Sequence, residues 1–267
     1  DIKKKYAKSR RTEIVYDKPE EYTEEPEILD YPVIAVVTKD GYFKKILPPK
    51  SANAKVEEQK LKENDEIVYN ETVTNDCDLI AFTDKCQAYK ARLDDFDEIK
   101  PSALGDYIPA KLKFDDGENV MFICVTKDYS GSIAFFYENG KALTVPLKAY
   151  ETKTNRKKLA NAYSADSKSV GIFFVPQNTG RSSSVDFLLK TSGSKAMIIN
   201  SYLLTEKVTR SSSGVIVFTL KKGQILTDVS LFTDDGSEEM KEFSRYRKTK
   251  VPSTGTTITS GKQLSLI

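Results

Sequence analysis

The stretch from Val33 to Ile46, VIAVVTKDGYFKKI, joins a short apolar run to an alternating one through Lys39-Asp40-Gly41. Tyr42, Lys44 and Ile46 fall on one face of the second run, Phe43 and Lys45 on the other. An Asp-Gly between two β-rich runs is a hairpin signal, because glycine takes the positive φ that the tight turn needs. The shape returns in Leu79–Leu93 (LIAFTDKCQAYKARL), Ile133–Leu147 (IAFFYENGKALTVPL) and Val185–Ile199 (VDFLLKTSGSKAMII). The turn positions are 41, 86, 140 and 193, with Cys86 where a glycine stands elsewhere, and their spacings are 45, 54 and 53. A period of about 50 built from short strands specifies stacked sheets in a propeller or a related ring.

Each unit also has a second half, a polar loop followed by further strand-like runs. These are Gln59–Val68 in the first unit, Ala110–Lys113 with Val120–Val125 in the second, Ser169–Val175 in the third, and Gly214–Leu220 with Ile225–Phe232 in the fourth. Two strands from each half give one four-stranded antiparallel sheet per unit, so the fold class is all-β. The units run over about 31–75, 76–130, 131–183 and 184–235, with order beginning near Tyr31. A sheet of this size cannot cover both its faces, so the sheets must bury one another around an axis. Residues 236–267 are expected to form a partial closing blade, together with residues near Glu13–Tyr16, because closure removes exposed edges.

The bulk numbers exclude several classes. No apolar run approaches a membrane span and no signal-peptide pattern opens the chain. The chain does not begin with Met and is expected to be a fragment or a processed chain. Cys77, Cys86 and Cys124 fit no zinc or redox spacing and read as small apolar residues of a reducing, cytoplasmic compartment. There is no histidine, which removes the commonest general base, the commonest zinc ligand and every Ser–His or Cys–His pair. The carboxylate clusters Asp94-Asp95-Asp97-Glu98 and Asp234-Asp235 lie in loops and read as solvated surface. No glycine-rich phosphate loop follows a strand, so nothing argues for catalysis within this chain, nor for a metal or cofactor of its own.

The charge is unevenly spread although the total is only +2. Asp1–Arg11 carries +5, Glu13–Asp30 carries −7 and Lys241–Lys262 carries +5. The first segment reads as the end of a helix or a basic arm, and Tyr22–Pro26 within the second as a solvated linker. Basic residues recur at corresponding places in the units. Lys44, Lys45, Lys90, Arg92 and Lys195 follow the turns. Lys111, Lys113, Arg156, Lys157, Lys158, Lys221 and Lys222 lie in the second halves, and Arg245, Arg247, Lys248 and Lys250 in the tail. If the units are blades, these residues fall on one rim, where they would follow a bending phosphate backbone and confer affinity with little sequence selectivity.

Taken together, these residues resemble the C-terminal domain of the A subunit of bacterial type IIA topoisomerases, DNA gyrase and topoisomerase IV. Lys5-Tyr6 and Arg10-Arg11-Thr12-Glu13-Ile14 resemble the end of that protein's coiled-coil region. The Thr-x-x-Gly hairpins, Thr38–Lys45 above all, resemble its blades, and Leu61–Val68 and Leu220–Gly223 resemble the strand that follows. The resemblance implies a β-pinwheel with strands exchanged between blades. It implies a basic rim that binds and bends double-stranded DNA and presents a segment for strand passage. In such enzymes Mg²⁺ and ATP act elsewhere, ATP through the B subunit. The partners, reached through a core outside this chain, are that B subunit plus a second A subunit. The Gln-Arg-Arg-Gly-Gly-Lys-Gly box usual in gyrase is absent; the loop after the first hairpin reads Leu47-Pro48-Pro49-Lys50-Ser51-Ala52-Asn53-Ala54-Lys55. That departure implies a topoisomerase IV-like role or a divergent gyrase.

Two readings compete with DNA binding. A propeller scaffold for protein partners requires an apolar or aromatic patch on one mouth of the ring. An enzyme on a propeller requires polar residues converging on the central channel.

Overall fold

The computed structural model describes residues 30–49, 59–152, 157–177, 184–233 and 243–258. They form four antiparallel sheets of four strands each. The first is built on the hairpin β1 (Pro32–Thr38) and β2 (Tyr42–Ile46), with β3 (Ile67–Thr74) beside β1. In the second, β4 (Asp78–Thr83) and β5 (Ala88–Arg92) form the hairpin. The short β6 (Asp106–Tyr107) follows β5 and leads to β7 (Val120–Thr126), which pairs with β4. The third sheet has the hairpin β8 (Ser132–Tyr137) and β9 (Lys141–Pro146), then β10 (Lys158–Leu159) and β11 (Ser169–Val175). The fourth has β12 (Asp186–Thr191) and β13 (Lys195–Asn200), then β14 (Val215–Ile216), β15 (Leu226–Phe232) and β16 (Thr256–Thr257).

The two-residue strands are not local to the units that carry them. The sheet orders are β3-β1-β2-β6, β10-β5-β4-β7, β11-β8-β9-β14 and β15-β12-β13-β16. Each hairpin keeps its own third strand and takes its fourth from the chain that follows. Four strands per sheet is the number read from the sequence, but the source of the edge strand differs. Ala110–Lys113 is not a strand; Ile108–Lys111 is a single helical turn (α1) with Pro109 in its first turn. The tail, expected to form a partial closing blade, supplies β16 to the fourth sheet. Residues 13–16, 234–242 and 259–267 lie outside the described residues, as do the basic arm and acidic linker over 1–29.

The turns prepare this exchange. Gly41, Cys86, Gly140 and Ser194 adopt φ of 85°, 57°, 78° and 53°. A left-handed residue at this place aims its carbonyl at the incoming edge. Gly41 O accepts from Ile108 N–H at 2.9 Å, Cys86 O from Ala162 N–H at 2.8 Å, Gly140 O from Val217 N–H at 2.9 Å and Ser194 O from Ile258 N–H at 2.9 Å. In the fourth turn the left-handed residue is therefore Ser194, one place beyond the glycine singled out in the sequence. Gly193 serves another need: a Cβ there would lie 1.9 Å from Gln224 Nε2.

Alternate hairpin residues bury opposite faces, so neighbouring sheets share their cores. Leu79 and Ala81 pack with Val33, Ala35, Val37 and Phe43 of the first sheet. Ile80 and Phe82 pack with Ile133, Phe135, Leu143 and Val145 of the third. Ala134 and Phe136 pack with Phe187, Leu189, Met197 and Ile199 of the fourth. Inner strands buried on both faces need no polar alternation, which accounts for runs such as Ile133-Ala134-Phe135-Phe136. The far face of the fourth sheet, with Leu188, Ile198 and Phe232, is covered by Phe243 and Tyr246. No apolar cluster joins the first sheet to the fourth among the described residues. Each large side chain removed from water, Phe82 for example, contributes about 1.5–3 kcal/mol.

Candidate nucleic-acid interface

Every sheet has a turn end, where its hairpin closes, and an opposite end, where the hairpin begins. The basic residues singled out in the sequence divide among the turn ends, the opposite ends and the interior. Lys44, Lys45 and Lys90 are 0%, 4% and 9% exposed. The Lys44 ammonium donates to Gln59 Oε1 at 3.4 Å and to the Lys60 and Pro101 carbonyls, and burial pulls its pKa down. The Lys45 ammonium donates to Asn75 Oδ1 and to the Leu93 carbonyl, both at 3.1 Å. Lys90 lies 3.3 Å from Asp78 Oδ2 and over the Tyr129 ring at 4.9 Å. A phosphate cannot reach these three without displacing the segments that cover them, so they are removed from the candidate rim. Their strands alternate as the sequence indicates, but both faces of these hairpins are covered.

Arg92 and Arg247 lie at the opposite ends, Arg92 paired in register with Asp78 and Arg247 in an ion pair with Asp186. Arg247 also lies over the Phe232 ring at 5.5 Å. Arg245 donates to the Tyr246 hydroxyl at 2.6 Å with its guanidinium over that ring, and Lys248 donates to Thr256 Oγ1 at 2.8 Å. Lys111, Lys113, Lys157, Lys158, Lys195, Lys221 and Lys222 gather toward the turn ends, carried by edge strands, third-strand approaches and the start of β13. Lys111 is paired with Asp106 at 3.5 Å and lies over Phe96, while Lys158 is paired with Asp115 and lies over Tyr89. Lys113, Lys157, Lys221, Lys222 and Lys250 are exposed and make no ion pair among the described residues. Arg156 lies outside the described residues.

The sequence reading missed the carboxylates that occupy the same ends. Lys39 meets Glu66 at 2.7 Å and Lys62 meets Asp40 at 3.3 Å. These partners are more than twenty residues apart in sequence, so no local pattern marks them. The carboxylates read as solvated surface have partners too: Asp94 accepts from Asn75 Nδ2 at 3.0 Å and Glu98 from the Tyr31 hydroxyl at 2.6 Å, which pushes that phenol up to about 12. Among the described residues no group of three or more potential metal ligands occurs, and no helix is long and apolar enough to cross a membrane.

Four four-stranded blades, each closed by an edge strand taken from the chain beyond it, define a β-pinwheel. Solved structures that share this architecture include topoisomerase domains. The C-terminal domain of DNA topoisomerase IV superposes with a TM-score of 0.64 and 21% identity, covering 77% of this chain and 62% of that one. The E. coli ParC C-terminal domain superposes with a TM-score of 0.59 and 9% identity, covering 86% and 94%. At these identities the likeness establishes the fold. In sequence, the chain is 24% identical over 161 residues to the A subunit of DNA gyrase from Thermotoga maritima, across 58% of this chain and 20% of that protein's length. No protein-family model matches. The resemblance carried by the hairpins and the Arg-Arg-Thr-Glu-Ile junction is the one these comparisons return.

Proposed function

We propose that this chain is the non-catalytic DNA-binding and DNA-bending domain of a type IIA topoisomerase A subunit. In this reading residues 31–267 are the pinwheel, and residues 1–30 are the end of the coiled coil and its acidic linker. The observation that carries it is the pairing of the topoisomerase IV C-terminal fold with free lysines at the turn ends. The mechanism is electrostatic. Lysines on a curved surface release counterions from double-stranded DNA of any sequence. Bending a short site by roughly 40–90° costs about 1–6 kcal/mol, which the contacts must offset. The bent segment is presented to a core outside this chain. There Mg²⁺ and ATP do their work, and the partners are a second A subunit plus the B subunit. The missing glycine-rich basic box favours a topoisomerase IV-like role over full wrapping.

A gel-shift titration with linear duplex and with a small, already bent circle, each at two salt concentrations, tests the reading. Binding that ignores sequence, weakens with salt and favours the circle supports it. No binding to either DNA at low salt overturns it and favours a scaffold for protein partners.

A further inference from the structure

Resting on the DNA-binding reading, we propose that the duplex is held chiefly by the turn end of the fourth sheet, through Lys195, Lys221 and Lys222. The turn ends of the first two sheets stand off its path. The argument is the charge each sheet presents there. In the first, Lys39 and Lys62 are spent on Glu66 and Asp40, Lys111 on Asp106, and Glu63 and Asp65 add negative charge. Asp65 stays ionised: burial opposes it, but hydrogen bonds from Thr38 and from the Asp40 and Glu66 N–H groups hold its pKa below the ordinary value. In the second sheet Lys158 is spent on Asp115; Lys85 adjoins Asp84, and Lys113 shares its loop with Asp116 and Glu118, so the unpaired Lys85, Lys113 and Lys157 are matched in number by carboxylates at that end. In the third, Lys168 faces Glu138 at 3.7 Å, leaving Lys141 and Asp166.

The fourth sheet differs. The described carboxylate at its turn end is Asp228, paired with Lys190 at 3.3 Å. Lys195, Lys221 and Lys222 make no ion pair among the described residues, and Glu138, whose carbonyl accepts from Leu226 N–H at 2.8 Å, is paired with Lys168. The Lys221-Lys222-Gly223 turn is also fastened in place: Ser192 N–H donates to Ile225 O at 3.0 Å, Ile225 N–H to Ser192 Oγ at 3.1 Å, and Lys221 N–H to Gln224 Oε1 at 3.2 Å. An ion pair closed within 4 Å is close to neutral for a phosphate about a Debye length away, whereas a free ammonium on a fixed turn keeps its attraction.

The test is fluorescence anisotropy of a labelled linear duplex across a salt series. Lys221→Glu with Lys222→Glu is compared with Lys39→Glu with Lys62→Glu, and with Asp40→Asn with Asp115→Asn. The first pair is expected to lower affinity at low salt by about tenfold or more, and to reduce the magnitude of the log–log salt slope by roughly 2. The second and third pairs are expected to stay within about twofold of the parent: Lys39 and Lys62 are already neutralised by partners, and the lysines that the Asp40 and Asp115 changes set free stand off the DNA path. An unchanged Lys221/Lys222 variant, an equal loss from Lys39/Lys62, or a gain from Asp40/Asp115 would each overturn the assignment. Absence of binding by the parent chain would overturn the DNA reading itself, a result distinct from these.

Discussion

Lys45 and Lys90 hold the same place in successive sheets. Each stands four residues beyond the left-handed turn residue, Gly41 or Cys86, and each turns its ammonium inward. Thr144 and Ile198 hold that place in the third and fourth sheets. It is where the returning chain docks: Ile99 N–H donates to Lys45 O, Lys207 N–H to Thr144 O and Lys248 N–H to Ile198 O, each at 2.8 Å, while Lys90 N–H donates to Lys157 O at 2.8 Å. The recurrence of basic residues after the turns is thus partly a packing device. Lys90 answers the Asp78 carboxylate, which also accepts from the Tyr129 hydroxyl.

Lys90→Met should therefore act on stability. It leaves Asp78 largely buried without its cation, and breaking such a pair costs about 3–5 kcal/mol. Urea unfolding is the measurement. An unchanged midpoint would show that the pair contributes nothing, and a Lys90→Met/Asp78→Leu/Tyr129→Phe triple variant, which also removes the hydroxyl that Asp78 accepts from, should recover part of the loss.

The turns make a graded prediction. Gly41→Ala places a Cβ 3.1 Å from Val120 Cγ2, a side chain able to give way, so its cost is mainly the left-handed backbone, about 1–2 kcal/mol. Gly140→Ala places its Cβ 2.4 Å from Phe218 O, on the segment that brings the exchanged strand. It should cost clearly more, and thermal melts of the two variants compare them directly. Equal melting temperatures would mean that the edge segment yields without penalty.

Why the hairpins were legible and the edges were not follows from length. A hairpin of five to seven residues per strand carries alternation and a turn signal in one window. Asp106–Tyr107, Lys158–Leu159, Val215–Ile216 and Thr256–Thr257 are two residues each, too short for any period, and their partners belong to another unit. The exchange was reachable only through the family resemblance. Lysine roles were illegible for a related reason: Lys44 is buried by Pro101, 57 residues away, and Lys158 is neutralised by Asp115, 43 residues away.

Acid should act through Asp76. Burial alone would push this carboxyl up, but the Thr74 hydroxyl and the Lys127 ammonium, 2.9 Å away, outweigh it and hold the pKa below the ordinary 3.8. A carboxyl with a depressed folded pKa stabilises the fold fully above its unfolded value, and that contribution is lost as pH falls through the folded value. Lys127, whose pKa is raised by the hydrogen bond it donates to Asp76, stays charged throughout. Asp76→Asn should lower stability at neutral pH and flatten its decline below about pH 4. Parallel pH profiles for the variant and its parent would show that Asp76 titrates as it does in the unfolded chain.

The three thiols should report local opening in a fixed order. Cys124 is buried between the second and third sheets, and burial pushes its thiol up to about 12. Only the thiolate attacks a disulfide reagent, and at pH 8 such a group is about 10⁻⁴ ionised. Cys77 is buried in the core between the first and second sheets. Cys86 is half-buried in its turn, its thiol donating to Ser164 O at 3.6 Å and its pKa raised by burial. Slow labelling of Cys86 in the native protein is expected first. Cys77 and Cys124 should become reactive together, in step with the urea transition, because each lies in a core shared by two sheets. Labelling of Cys124 well before that transition would mean that the second and third sheets separate while the rest of the pinwheel stays folded.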